Sequence, residues 1–108
     1  MPQEITPREL ARHIENGHPV RLIDVRQPWE NAAAKLPESF LIPLNEIQLR
    51  TAEIPAEPGI LVVLYCHHGI RSLSGVAILQ QAGITNAASL SGGIDAWSTL
   101  VDPSVPRY

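Results

Sequence analysis

Cysteine occurs once in these 108 residues, so no internal disulfide can form and a stapled extracellular scaffold is excluded. Aromatic residues are scarce at 5%, and any core must therefore be built from Leu, Ile, Val and Ala. Basic charge is not in excess. Eight Lys and Arg face eleven Asp and Glu, a formal net charge of −3 that argues against nucleic-acid or anionic-membrane binding, though not against a local basic pocket. Long apolar runs are missing too: the longest, Ile60 to Cys66, has seven residues where a membrane helix needs about 20. Met1-Pro2-Gln3-Glu4 carries neither the basic start nor the apolar stretch of a signal peptide. A soluble, cytoplasmic protein is expected. What is present is core material, 44% hydrophobic against 18% charged, which excludes disorder and suits a single domain over residues 1–108.

Metal-ligand spacing is also absent. Cys66, His13, His18, His67 and His68 show no paired-ligand pattern, and the adjacent His67 and His68 are expected to point different ways, so no metal site is expected.

Along the chain, Thr6-Pro7-Arg8-Glu9 offers a hydroxyl cap, a first-turn proline and a glutamate at N3, so a helix starts here and ends near Asn16-Gly17. Val20–Val25 reads as a strand, Trp29–Lys35 as a short helix and Phe40–Leu44 as a second strand. Asn45 can cap a helix running through Ile47 and Leu49 to Ala52. Ile60 to Tyr65 is β-rich without alternation, the pattern of a strand covered on both faces. Arg71–Ala82 reads as a helix closed by Gly83, Ile84–Leu90 as a strand and Ile94–Leu100 as a last helix. Residues 101–108, punctuated by Pro103 and Pro106, form an extended tail. Strands alternating with helices predict an α/β protein with a largely parallel sheet, whose functional groups gather at the carboxyl ends of the strands. Cys66 sits at that end of the most apolar strand.

The loop Cys66-His67-His68-Gly69-Ile70-Arg71-Ser72 joins that strand to the following helix. A short strand-to-helix turn aims backbone N–H groups inward as an anion nest, and the helix N-terminus adds unpaired donors. Arg71 contributes a permanent cation, and Gly69 permits a left-handed backbone. Each feature favours a thiolate nucleophile at Cys66. The competing reading is a buried cysteine acting as a small hydrophobe, which a cysteine ending an apolar strand commonly is.

The loop Tyr65-Cys66-His67-His68-Gly69-Ile70-Arg71-Ser72 resembles the active-site loop of the rhodanese-like sulfurtransferases. Leu22-Ile23-Asp24-Val25-Arg26-Gln27-Pro28-Trp29-Glu30 is similar to the family's first-strand block, and Leu90-Ser91-Gly92-Gly93-Ile94-Asp95-Ala96-Trp97 to its closing block. The blocks fall in family order over a core of residues 5–100. The resemblance implies a rhodanese-like three-layer α/β fold, with a central, mainly parallel sheet of about five strands flanked by helices. It implies a thiosulfate sulfurtransferase in which Cys66 takes a sulfane sulfur as a persulfide and yields it to a thiol or cyanide. The cradle would comprise His67, His68, Gly69, Ile70, Arg71 and Ser72, with Arg71 attracting the anionic donor and no cofactor required. Four residues separate Cys66 from Arg71, one fewer than in the cradles of related phosphatases and arsenate reductases, which disfavours those activities. With no second thiol in the chain, the acceptor must come from outside, as a small molecule or a protein. A non-catalytic or relay interaction module on the same fold is the alternative. The segment Ala34-Lys35-Leu36-Pro37-Glu38-Ser39 departs from the family's usual Gly-His-Ile-Pro-Gly-Ala, which puts its turn in question.

Supporting roles fall to Asp24, bracing the loop or Arg71 or else capping its strand, and to Arg26, attracting the donor or forming a surface salt bridge. Ser72 either bonds the sulfur or caps its helix. His67 and His68 are expected to point toward the entrance. Trp97 is expected in the core, Trp29 partly exposed near the pocket mouth, and Lys35 solvated.

Overall fold

A computed structural model describes residues 3–107; Met1, Pro2 and Tyr108, named above in the leader and the tail, lie outside them. Five strands form one sheet in the order β1-β5-β4-β2-β3. They are β1 (Glu4–Ile5), β2 (Val20–Asp24), β3 (Phe40–Leu41), β4 (Leu61–Tyr65) and β5 (Ala87–Leu90). Every pairing is parallel, with Asp24 beside Tyr65 and Val63 beside Ala88. Four α-helices accompany them: α1 (Pro7–Glu15), α2 (Pro28–Ala33) and α3 (Arg71–Gln81) between strands, and α4 (Gly93–Leu100) after the last. Among the described residues no helix is long and apolar enough to cross a membrane.

The unalternating run in β4 is explained by burial on both faces. Val63 and Tyr65 face a core with Leu10, Leu22, Leu36, Leu90, Ile94 and Trp97, beneath α1 and α4. Val62, Leu64 and Cys66 face the opposite core with Ile23, Val25, Ile47, Val76 and Leu79, beneath α3. The thiol therefore lies on the α3 side, where the chain leaves the sheet.

Helix α1 begins as its sequence predicts. The Thr6 hydroxyl accepts from the Glu9 N–H at 3.2 Å and the Glu9 carboxylate from the Thr6 N–H at 2.9 Å. Residues 44–53 differ from expectation. They form two 3₁₀ segments, Leu44–Leu49 and Thr51–Glu53, in place of an Asn45-capped helix. Leu44, Ile47 and Arg50 recur every third residue, a spacing that eclipses in 3₁₀ geometry. The second expected strand shortens to Phe40–Leu41, although the Ile42 N–H still donates to the Asp24 carbonyl at 2.9 Å and the Leu44 N–H to the Val25 carbonyl at 3.0 Å.

The tail also differs. Its backbone turns between Asp102 and Val105, Val105 is buried in the core, and the Ser98 hydroxyl donates to the Val105 carbonyl at 2.7 Å. In the segment that departs from the family pattern, Glu38 has φ 62°, the left-handed conformation that glycine adopts freely. Tyr65 ties this turn down: its hydroxyl accepts from the Leu36 N–H at 3.1 Å and bonds the Ser39 hydroxyl at 2.8 Å. Burial, then the nearby Asp24 carboxylate, push the Tyr65 hydroxyl pKa above its ordinary value.

Candidate active site

Cys66 follows the last residue of β4, and α3 begins at Arg71. The short turn between them folds the chain back over the sulfur. The Gly69 N–H donates to Cys66 Sγ at 3.1 Å and the Ser72 N–H at 3.4 Å. The Ser72 hydroxyl lies 3.4 Å from the same sulfur and 2.7 Å from the Ser89 hydroxyl on β5. Ser72 is not the helix cap, since Ile70 holds that position without a side-chain bond. Gly69 reaches φ 95°, which aims its N–H at the sulfur. Cys66 is only 1% exposed and belongs to the α3-side core, yet its sulfur faces backbone donors as well as apolar side chains. A preorganised pair of N–H groups around a buried sulfur stabilises negative charge on it.

Helix α4 clamps the loop from the other side. The Ile94 N–H donates to the Cys66 carbonyl at 2.9 Å and the Asp95 N–H to the His67 carbonyl at 3.2 Å. Such an approach leaves no room for a side chain at Gly93, whose Cβ would stand 2.3 Å from the Cys66 oxygen and 2.4 Å from the His67 oxygen. Here lies the physical meaning of the Gly92-Gly93 pair: both have left-handed φ and deliver α4 onto the cradle.

Helix α2 holds the third side. Glu30, nearly buried, receives both terminal nitrogens of Arg71 at 2.6 and 2.9 Å. This forked pair locks the end of the loop against α2 and offsets the Arg71 charge that an approaching anion would meet. Glu30 was visible in the sequence only as part of the first-strand block. Its distant partner gave no signal. Ser89 was not singled out either; its signal is that it is the polar residue of β5.

Arg26 is placed otherwise than expected, and Asp24 takes the second of its two expected roles, at its strand end. Arg26 is no surface residue: both side chains have zero exposure. Arg26 donates through Nε and a terminal nitrogen to the two Asp24 oxygens, each at 2.8 Å, and the same terminal nitrogen donates to the Ala34 carbonyl. Asp24 also accepts from the Arg26 N–H at 2.9 Å and from Asn31 at 3.0 Å. It thus closes its own strand end and braces Arg26, and bonds neither the loop N–H groups nor Arg71.

His67 is half-buried and His68 exposed, and both lie on the loop. Their rings do not diverge: the centroids are 4.1 Å apart in an edge-to-face contact. His68 Nε2 lies 3.9 Å from Asp95 Oδ2, and Arg107 Nε lies 2.9 Å from Asp95 Oδ1. Burial, and next the charge of His68, hold His67 below the ordinary histidine pKa. Hydrogen bonding by Arg107 holds Asp95 below the usual carboxylate range. Ile70 on the loop and Trp29 on α2, each next in sequence to a member of the Glu30–Arg71 pair, are exposed. Trp97 is buried as expected, and Lys35 is exposed.

A parallel α/β domain that ends its central strand in a thiol held by loop N–H groups is one recognisable class of protein. Known proteins specify it further. The rhodanese-like domain family matches residues 6–100, and this chain belongs to that family. A protein named sulfurtransferase from Allochromatium vinosum is 36% identical over 98 residues, covering 91% of this chain and 90% of its own. A protein named "Probable adenylyltransferase/sulfurtransferase MoeZ" from Mycobacterium tuberculosis is 36% identical over 104 residues, 96% of this chain. The chain spans only 26% of that longer relative. Among solved structures, a rhodanese-like domain protein from Staphylococcus aureus superposes with TM-score 0.83 at 28% identity, covering 98% of each chain.

Proposed function

We propose that this protein is a sulfurtransferase that carries sulfane sulfur as a persulfide on Cys66. The observation that carries the reading is the seating of Cys66 Sγ, at the end of β4, beneath the N–H groups of Gly69 and Ser72. The Cys66 thiolate attacks the outer sulfur of thiosulfate; a new S–S bond forms, the old one breaks, and sulfite departs with its electron pair. The persulfide anion then rests in the nest, its charge met by the loop donors. Cyanide or an external thiolate attacks the terminal sulfur, leaves as thiocyanate or a persulfide, and regenerates the thiolate. Atoms and electrons balance without a cofactor.

In this reading Arg71 stands at the mouth to meet the oxyanions of the donor, its charge tempered by Glu30. Asp24 and Arg26 act as internal braces. Relay from or to a protein is the second reading, favoured by the exposed apolar Ile70 and Trp29 flanking the Glu30–Arg71 pair. The two share their chemistry and differ in the donor.

Intact mass before and after thiosulfate tests the proposal, with Cys66→Ser alongside. A gain of one sulfur on the wild type alone, removed by cyanide, is the expected result. No gain while the thiol still alkylates transfers support to a protein donor. No gain and no alkylation defeats both readings and leaves Cys66 a packing residue.

A further inference from the structure

His67, His68 and Asp95 place their nearest ligand atoms within 4.8 Å of one another. They come from two elements that are locked together. The Asp95 N–H bonds the His67 carbonyl, the neighbouring Ile94 N–H bonds the Cys66 carbonyl, and the bare Gly93 lets the backbones meet. The three donor groups are thus positioned by backbone contacts, with only their side-chain torsions left to adjust. From this geometry we propose that His67, His68 and Asp95 bind a borderline transition-metal dication, zinc being the type case, at the mouth of the Cys66 loop.

The distances support a metal over a hydrogen bond. His68 Nε2 and Asp95 Oδ2 stand 3.9 Å apart, too far to bond each other. Two ligands at about 2.0–2.2 Å from a tetrahedral zinc lie about 3.4 Å from one another. Closing from 3.9 and 4.8 Å therefore asks for displacements of about 0.5–1.4 Å, within reach of partly exposed side chains. Two imidazoles and a carboxylate select zinc, copper or nickel over magnesium or calcium, which prefer oxygen-only sets. Three protein ligands leave a fourth position open to water or a thiolate, as in zinc sites that exchange ligands. Arg107 competes for the same carboxylate, at 2.9 Å to Oδ1 and 3.4 Å to Oδ2, and its charge opposes the cation. Sequence spacing hid the site because its third ligand arrives from α4.

Calorimetric titration of zinc into tag-free Cys66→Ser protein, in a non-coordinating buffer, removes the thiol as a ligand and reads the site directly. One zinc per chain is expected. His68→Ala and Asp95→Asn should each weaken binding at least tenfold, and Arg107→Ala should tighten it several-fold. Retained affinity in both His68→Ala and Asp95→Asn would overturn the proposal, as would no saturable binding up to millimolar zinc. So would loss of binding in His13→Ala, since His13 and His18 form the other histidine pair. Circular dichroism of each variant separates loss of ligands from loss of fold. The titration does not depend on sulfur transfer, so its failure and the failure of that reading are distinguishable.

Discussion

Replacing Arg26 by Met tests whether its guanidinium is a brace or a substrate cation. The side chain is wholly enclosed, holds both Asp24 oxygens at 2.8 Å and also donates to the Ala34 carbonyl. Methionine fills comparable space but leaves the Asp24 carboxylate buried without its cation. Breaking a buried pair from one side costs about 3–5 kcal/mol. At about 4 °C per kcal/mol for a domain of this size, the melting temperature should fall by roughly 12–20 °C. Urea unfolding followed by circular dichroism measures the loss, and the double variant Asp24→Leu/Arg26→Met should lose clearly less than the sum of the single changes. Sulfur transfer, assayed well below the melting point, should keep its thiosulfate KM. The reasoning is refuted if Arg26→Met stays within about 1 kcal/mol of wild type while KM rises. Arg26 would then be acting on the donor.

Gly93→Ala should disable the cradle, because its methyl would stand 2.3 Å from the Cys66 oxygen at a backbone of φ 62°. Persulfide formation by mass spectrometry should fall at least tenfold, with loss of thermal stability. Glu30→Gln removes the counter-charge from Arg71. Because that guanidinium is partly exposed, the pair is worth about 0.2–1 kcal/mol, so the thiosulfate KM should fall by up to about fivefold. An unchanged KM would mean that Arg71 does not meet the donor. His67 should titrate below the ordinary value of 6.5 by NMR of its ring protons, and His68→Ala should move that midpoint upward. A folded pKa below the unfolded one means that the unfolded chain binds more protons between the two. The His67 contribution is therefore fully present above about 6.5 and is lost as pH falls through its lowered folded value.

The central part of the fold was legible because its signals are local. An apolar run too continuous for a half-exposed strand, then Cys66, Gly69 and a helix, define strand, loop and nest within a dozen residues. The α1 cap is equally local. Strand β1 was not legible: Glu4–Ile5 is a strand only because β5 lies beside it. Nor was the burial of Arg26, since a lone arginine ordinarily reads as exposed. The clue was its acidic partner two positions earlier, on the same side of an extended chain. The contact between His67 and His68 was misread for a similar reason, because it arises in a turn whose path the sequence does not display. Glu30 with Arg71 and Asp95 with His68 are long-range pairs, and no spacing rule reaches them.

The cradle is held on three sides by contacts of different kinds: continuity with β4, backbone bonds from α4 and the Glu30–Arg71 fork from α2. All three bear on the segment that carries the Gly69 and Ser72 donors, so the nest is preorganised by the whole upper edge of the sheet. The rim is more exposed. Ile70 is 75% exposed, Trp29 66% and the His68 side chain 65%. On the proposed function, chemistry and recognition are therefore separable in this domain. Changes at Ile70 or Trp29 should alter which donor or acceptor docks while leaving the intrinsic reactivity of Cys66 alone, and changes at Gly69, Ser72 or Gly93 should do the reverse. This division also suits a domain found both alone and within longer chains. A relative of about this length and one of which this chain spans a quarter each match it over more than nine-tenths of its residues.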